Sequence, residues 1–315
     1  MDIITLIPVI KDYDWGRTSY IKDLLSSTDI KDMPPVQAEL WMGAHKSGCN
    51  TVKETGESLR AFIDKDPSFV GPTFKTGDDF PFLLKLLAIN RPLSIQCHPD
   101  KEKAKEGFES GNINYTDPNE KSELFYALEE SSMLCGLRKS YTKDEESEAM
   151  HAYIQSFFPD DPGADYAYRL NVFNLEEGDA VAIKPGVLHS YCKGCGIELM
   201  TNSDNVVRAG LTSKRVDKAE LDKISLKKPY MPTYLSSYED GGGEHFYMES
   251  GLVLSVLKNG YFFEESALSA RLVFCFEGSA VINETYNMSK GQVCLIRSGV
   301  PISAEVEGTL FTAYI

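Results

Sequence analysis

The sequence has no apolar run long enough to cross a membrane as a helix. Its first residues lack the basic segment and the small-residue cleavage site of a secretory leader, so we expect no signal peptide. Basic residues are in the minority, because 32 Lys and Arg stand against 47 Asp and Glu, a formal net charge of −15. This balance disfavours nucleic acids and anionic membranes as partners.

Cysteines are few, odd in number and scattered, a pattern that does not suggest a disulfide framework. Seven such residues are typical of a protein of the reducing cytoplasm. The G-x-G-x-x-G fingerprint of dinucleotide-binding domains is also missing. We therefore expect a cytoplasmic protein without a nicotinamide cofactor.

Strand-like runs bounded by turn residues dominate the chain and predict a mainly β fold. Helical patterns interrupt them at about 57–66, 100–109 and 142–158, the last with Thr142 as a plausible N-cap. A chain of 315 residues is expected to form two domains with proper cores.

The domain boundary is predicted from composition. A polar linker follows residue 212, and Gly241-Gly242-Gly243 suggests a flexible joint. We therefore expect a larger domain with helical segments at 1–238 and a smaller domain at 239–315.

The most informative stretch is LSIQCHPDK at 93–101, a short strand that ends at Pro99. Because strand residues alternate between faces, Gln96 and His98 share one face. An imidazole and an amide oxygen two residues apart can bind one divalent cation. On its own, however, such a pair is more often a polar strand face.

Two other segments favour the metal site. In NEKSELFYAL at 119–128, a polar turn leads into a strand and places Lys121 and Glu123 on one face; a charged, water-facing strand start is the alternative. The segment from Gly178 through Gly186 to His189 resembles the second half-motif of cupin barrels, in which the histidine binds metal. A structural histidine at a turn is the alternative here.

Together, Gln96, His98, Glu123 and His189 offer two imidazole nitrogens, one carboxylate and one amide oxygen. Such a set of nitrogen and oxygen ligands suits Zn²⁺, with water or substrate completing the coordination.

These residues lie within longer blocks that resemble the type I phosphomannose isomerases, in the short form without a large helical insertion. The resemblance covers about the first two thirds of the chain in detail. The matching blocks are DYDWG at 12–16, AELWMGAHKSG at 38–48, LSIQCHPDK at 93–101, NEKSEL at 119–124, CGLR at 135–138, PGVLHSY at 185–191 and IELMTNSDNVVRAGLTSK at 197–214.

The resemblance implies tandem cupin (jelly-roll) barrels and one Zn²⁺ per chain. It also implies interconversion of mannose 6-phosphate and fructose 6-phosphate through a cis-enediol, within mannose metabolism, by a protein that we expect to be a monomer. The C-terminal part repeats the glycine spacing, with Gly291, Gly299 and then Ile302 at the histidine position. We therefore expect the second barrel to be metal-free.

The resemblance also points to four candidate catalytic residues: Lys121, Glu198, Asp204 and Arg208. Arg208 cannot plausibly lose its proton, so it is expected to stabilise the enediolate or anchor the substrate. Glu198 shares a strand face with Met200 and can point inward, although an exposed strand carboxylate is the alternative. The sequence does not identify the general base.

One position departs from the family, which commonly has a histidine where this chain has Glu120. Either Glu120 takes over proton transfer or that histidine is not essential. The remaining substrate-binding candidates are Ser94, Lys85, Lys214 and Trp15. Lys85 stands alone in an apolar run and should face an anion or a carboxylate, whereas Lys214 could equally be a surface residue and Trp15 could equally pack in the core.

Two other functions stay possible at this point. A non-catalytic, sugar-phosphate-binding regulatory cupin is favoured if Glu120 is disabling. A cupin oxygenase would normally bind Fe(II), and the glutamine ligand and the lack of a His-x-His pair argue against it. Lys121, Glu198, Asp204 and Arg208 favour the isomerase over the binding protein.

Overall fold

The computed structural model describes residues 1–265 and 268–315, and the predicted mainly β fold is confirmed. The helices are α1 (Tyr20–Leu24), α2 (Leu59–Lys65), α3 (Lys101–Glu109), α4 (Glu145–Phe157) and α5 (Lys218–Ile224). The strands are β1 (Ile3–Ile7), β2 (Val9–Lys11), β3 (Glu39–Met42), β4 (Ala44–His45), β5 (Gly48–Cys49), β6 (Thr51–Val52), β7 (Phe82–Ile89), β8 (Ile95–Cys97), β9 (Glu123–Ala127), β10 (Ser131–Leu137), β11 (Leu170–Leu175), β12 (Ala180–Ile183), β13 (His189–Thr201), β14 (Val207–Gly210), β15 (Tyr238–Asp240), β16 (Gly243–Tyr247), β17 (Val253–Glu264), β18 (Arg271–Ile282), β19 (Tyr286–Ser289), β20 (Val293–Ile296) and β21 (Ile302–Tyr314). Over the described ranges, none of the helices has both the length and the apolar character that crossing a membrane requires.

The chain divides into two compact units, and neither is continuous in sequence. The first unit comprises Met1–Tyr13, Arg17–Leu86 and Ser236–Ile315, and the second comprises Asp14–Gly16 and Leu87–Leu235. This grouping differs from the division at 238/239, which stays a prediction.

The first unit contains a large antiparallel sheet that joins both ends of the chain. Its strand order is β15-β16-β17-β21-β18-β20-β1-β6, with β19 paired to β18. Strand β1 pairs with β20, so that Ile4 lies opposite Leu295. A cluster of buried side chains that includes Phe262, Val273 and Leu310 forms an apolar core here.

In the second unit, the long strand β13 organises the sheet. Near its start it pairs with β8 and β10, and near its end it pairs with β9, while β14 and β12 extend the sheet beyond β8 and β9. Two apolar clusters support this sheet, one around Phe125 and Tyr191 and the other around Ile95 and Leu134. The segments that carry Gln96, Glu123 and His189 are therefore strands of one framework.

The three predicted helices are present as α2, α3 and α4, but the proposed N-cap of α4 is wrong. Asp144, not Thr142, caps this helix. Its carboxylate accepts a hydrogen bond from Ser147 N at 2.9 Å, and Ser147 Oγ accepts one from Asp144 N at 3.0 Å. The helix begins two residues later than expected because this reciprocal pair satisfies two backbone donors at once.

Two segments that were expected to be irregular are ordered. The segment after residue 212 contains α5, which buries Leu221 and Ile224 in the second unit. Gly241 and Gly242, expected to be a flexible joint, form the two-residue turn of the β15–β16 hairpin with φ values of 55° and 89°. Positive φ at both central residues favours glycine and is typical of a type I′ hairpin turn.

The internal repeat is confirmed as a structural repeat. Strand β12 leads through Gly186 to His189, the first residue of β13, and β20 leads through Gly299 to Ile302, the first residue of β21. Ile302 is buried and packs in the apolar core of the first unit. The expectation that this barrel binds no metal stays a prediction.

Candidate metal centre

The strand register places two of the predicted ligands side by side in the second unit, since His189 lies directly opposite Gln96. His98 directly follows β8, and Asp100 then begins α3 by accepting a hydrogen bond from Lys103 N at 2.9 Å. Glu123 is the first residue of β9, which pairs with the far end of β13, and its contact with the histidines is a matter of side-chain distances.

His98, Glu123 and His189 converge and are almost completely buried, with 1%, 0% and 0% of their surfaces exposed. The Nε2 atom of His98 lies 3.2 Å from Glu123 Oε1, and that of His189 lies 3.2 Å from Glu123 Oε2. The Lys121 ammonium lies 2.8 Å from Glu123 Oε1. The site thus contains a carboxylate between two imidazoles, with one buried ammonium beside it.

The outer nitrogen of each imidazole faces a backbone carbonyl. His98 Nδ1 lies 2.8 Å from Asn205 O, and His189 Nδ1 lies 3.0 Å from Val187 O. A carbonyl can only accept, so each neutral ring carries its proton on Nδ1 and directs the Nε2 lone pair at Glu123. Outer hydrogen bonds of this kind are usual for histidines that bind metals.

Electrostatics keep His98 neutral and Glu123 ionised. Burial, together with the charge of Lys121, lowers the pKa of His98 to about 4 despite the opposing effect of Glu123. Burial by itself raises the pKa of Glu123, but Lys121 and the contacts with both histidines outweigh it and hold that pKa well below its ordinary value. Both are the protonation states that a metal ligand needs.

The arrangement leaves acceptors facing acceptors. Lys121 is close to Glu123 but not aligned for a hydrogen bond, so both Glu123 oxygens and His98 Nε2 lack a hydrogen-bond partner among the described side chains. Buried unsatisfied acceptors are costly unless a cation binds them. Ligands about 2.0–2.1 Å from a tetrahedral Zn²⁺ lie about 3.3 Å apart, close to the spacings found here.

Gln96 completes the donor set. Its Nε2 lies 3.4 Å from His189 Nε2, so the amide group is directed at the same point. The two ends of an amide have nearly the same shape, and a half-turn presents the oxygen instead. Two imidazoles, one carboxylate and one amide oxygen can hold one divalent cation in this site.

The family model "Phosphomannose isomerase type I, catalytic domain" matches residues 3–140. The mannose-6-phosphate isomerases of Escherichia coli and Salmonella typhimurium are 28% and 27% identical to the chain, with 98% of each chain covered. A solved structure described as a zinc-bound mannose 6-phosphate isomerase matches with a TM-score of 0.86 and 26% identity, over 100% of this chain and 99% of that one.

The chain is therefore similar to type I phosphomannose isomerases, by the family model over its first 140 residues and by the relatives along almost its whole length. Its fold is the cupin fold predicted from the sequence. The buried site described above lies on the segments whose sequence blocks match the family.

Arg208 and Glu198, two of the catalytic candidates, lie on the sheet that carries the predicted metal ligands. Arg208 is half-buried on β14, directly opposite Gln96. Glu198 is 3% exposed, and its register opposite Phe125 places it on the same side of the sheet as Glu123. The alternative of an exposed Glu198 is therefore wrong.

The other candidates around the centre are partly exposed. Asp204 donates its backbone N–H to Asp117 Oδ2 at 3.0 Å. The backbone carbonyl of Glu120 accepts a hydrogen bond from Thr201 Oγ1 at 2.8 Å. Ser94 directly precedes β8 and is half-buried. Their roles stay predictions.

Lys85 is confirmed to face a carboxylate. It is 6% exposed, and its ammonium lies 4.0 Å from Glu39 Oε2 and 5.0 Å from the ring centroid of Trp41. It belongs to the first unit, whereas the predicted metal ligands belong to the second. Trp15 is half-buried against an apolar cluster of the second unit, and Lys214 is exposed.

Sequence reasoning missed Tyr191 and Asn205. Tyr191 lies two residues after His189, so strand alternation would have placed it on the same face. Burial and the nearby carboxylates of Glu123 and Glu198 raise the pKa of Tyr191 well above its ordinary value, so it stays protonated and can donate a hydrogen bond. Asn205 lies within a matching block but carries no motif signal for contact with His98.

Proposed function

We propose that this chain is a mannose-6-phosphate isomerase, an aldose–ketose isomerase that acts through a cis-enediol. The observation that carries the proposal is the buried convergence of His98, Glu123 and His189 with unsatisfied acceptor atoms, in a chain that is similar to type I phosphomannose isomerases. Relatives with this name align along almost the whole chain, which supports the proposal.

The cofactor is Zn²⁺, one per chain, and Gln96, His98, Glu123 and His189 would hold it. When bound, zinc supplies electrophilic polarisation of the sugar's carbonyl and hydroxyl oxygens. The carboxylate and neutral imidazoles are the ligands that this ion accepts, and the match to a zinc-bound relative supports the choice of metal.

The reaction moves one proton from C2 of the open-chain sugar to C1 and transfers the hydroxyl proton from O2 to O1. Glu198 or Lys121 takes part in proton transfer, and Asp204 is a further candidate. Glu198 is buried on the side of the sheet that carries Glu123, where a base can work without competing water. Arg208 provides fixed positive charge beside Gln96 for the developing enediolate.

Substrate phosphate requires a local cluster of donors, because the chain as a whole is acidic. Within the second unit we assign this role to Ser94 and Lys214, with Trp15 and Glu120 as further substrate contacts, while Lys85 of the first unit stays a candidate from the sequence alone. A hydroxyl and point-charge ammonium groups are suitable donors for a phosphate.

The two alternative functions are not favoured. A regulatory sugar-phosphate-binding protein has no need for a buried Lys121 ammonium 2.8 Å from a ligand carboxylate, nor for a buried Glu198 on the same side. A cupin oxygenase would normally use iron, whereas the matched relative binds zinc.

We further propose that the protein is a cytoplasmic monomer that binds a small sugar phosphate, and neither nucleic acid nor membrane. Six of the seven cysteines are buried, and the described residues contain no disulfide, which agrees with a reducing compartment. We also propose that residues 239–315 contain no metal, since Ile302 replaces the histidine in the repeated motif.

The test of this function is a coupled assay of mannose 6-phosphate conversion before and after chelation. Activity should disappear when the metal is removed and return after reconstitution with one zinc per chain, because residues 1–265 and 268–315 offer a single buried donor set for it. Mock-treated protein is the control. Activity that persists in metal-free protein would contradict the mechanism, and a second stoichiometric zinc of similar affinity would contradict the metal-free barrel.

Glu120→His restores the residue that is common in the family. Turnover should stay within about tenfold of the unmodified protein, because the side chain is only half-buried and a histidine can serve in its place. The measurement is turnover with zinc content checked. A loss of about 10²–10⁴-fold at full zinc content would show that Glu120 itself has a proton-transfer role that histidine cannot fill.

A further inference from the structure

A buried hydrogen-bond network connects His98 to two loops. Asn205 is 0% exposed, and its backbone carbonyl lies 2.8 Å from His98 Nδ1. This carbonyl fixes the tautomer and the direction of the imidazole, so the position of residue 205 determines where His98 Nε2 points.

The side chain of Asn205 ties that residue to the polar turn before Glu123. Its Nδ2 donates to the carbonyls of Asp117 and Asn119, each at 2.9 Å, and its Oδ1 accepts from Thr116 N at 2.8 Å. One amide therefore uses both of its ends to join the loop at 202–205 to the turn at 116–119.

Asp117 makes the reciprocal connection. Its carboxylate, 6% exposed, accepts hydrogen bonds from Ser203 Oγ at 2.8 Å, Asp204 N at 3.0 Å and Asn205 Nδ2 at 3.1 Å. It also accepts one from Asn119 N at 3.0 Å within its own turn. A buried carboxylate with several donors is well satisfied, and removing its partners is costly.

Both linked segments lead directly to the metal centre. The turn at 116–119 continues into Lys121 and Glu123, and the loop at 202–205 continues into Arg208 on β14. We propose that Asp117 and Asn205 are positioning residues that hold His98 and Glu123 in the geometry that binds metal. The proposal rests on the proposed function for the identity of the metal, Zn²⁺.

The test compares Asn205→Asp and Asp117→Asn with Asn171→Asp as a matched control. Asn171 is also buried in the second unit, and its Nδ2 donates to three backbone carbonyls, those of Cys135, Gly136 and Tyr230. Asn205→Asp places a second carboxylate against Asp117, and Asp117→Asn turns an acceptor into a donor toward Asp204 N–H.

Zinc affinity is measured by competition with a chelator, and the His98 tautomer in metal-free protein by nitrogen-15 NMR. Both test variants should bind zinc about 10–100-fold more weakly, because the Asn205 carbonyl is displaced from His98 Nδ1, and disturbing an outer partner of a metal-binding histidine typically costs that much. The Nδ1–H form of His98 should also lose its dominance. The control should keep zinc affinity even if its thermal stability falls.

Zinc affinity equal to that of the unmodified protein in both test variants would overturn the proposal, as would an equal loss in Asn171→Asp. Should both variants fail to fold, Ser203→Ala removes a single donor to Asp117 and should still weaken zinc binding measurably; unchanged affinity would then overturn it. Failure of the proposed function is a separate outcome, because the unmodified protein would then lack isomerase activity. The zinc affinities of the variants would still test whether Asp117 and Asn205 position the centre.

Discussion

Replacing His98 by alanine is expected to abolish isomerase turnover and to reduce zinc affinity by more than about 100-fold, the upper range for losing an outer partner. The change removes one of the two imidazoles from the almost completely buried candidate centre. Glu123 then has only His189 and Lys121 beside it, and a proton or a water molecule can pair with its oxygens in place of a metal ion. Zinc content per chain and turnover are the two measurements.

The matched control for this variant is His151→Ala. His151 belongs to the second unit as well, but it lies on α4, where its ring stacks on Tyr168. That variant should keep full zinc content and turnover. Circular dichroism should show that both variants are folded, and full zinc occupancy in His98→Ala would remove His98 from the ligand set.

Replacing Arg208 by alanine is expected to reduce turnover by about 10²–10³-fold with zinc still bound, the usual cost of removing one stabiliser of a developing oxyanion. Arg208 lies opposite Gln96 on the neighbouring strand, so its charge is fixed close to the metal site. Arg208→Lys keeps the charge but loses the planar guanidinium, and should stay strongly impaired.

Arg138→Lys provides the control for the arginine change. Arg138 also lies in the second unit, and it pairs with Asp144 at 2.8 Å beside the start of α4. It should have near-normal turnover. If zinc-loaded Arg208→Ala also turns over normally, Arg208 has no part in the mechanism, and the metal and carboxylates must account for catalysis.

Much of the candidate site could be predicted from the sequence because its signals are local. Alternation along β8 placed Gln96 and His98 on one face, and the glycine spacing before His189 identified the strand that enters the centre. The expectation that Lys85 faces a carboxylate followed from the cost of burying an unpaired charge, and Glu39 lies 4.0 Å away.

Contacts between distant segments could not be predicted in this way. The bond from His98 to Asn205 joins residues 107 positions apart, and it depends on a backbone carbonyl, which every residue has. The turn at Gly241 and Gly242 also has the composition of a flexible linker, and only the pairing of β15 with β16 on either side of it shows a hairpin. Neither the sequence of β1 nor that of β20 indicates that these two strands pair.

The β1–β20 pairing has a consequence for the order in which the chain folds. As the ribosome synthesises the chain, the second unit is complete once residue 235 has emerged, and its metal ligands can then assemble. Strand β1, made first, has to wait for β20, almost three hundred residues later, and contacts of such long sequence separation form slowly. The metal-binding half of the molecule is therefore free to mature while the sheet that contains the first strand is still unfinished.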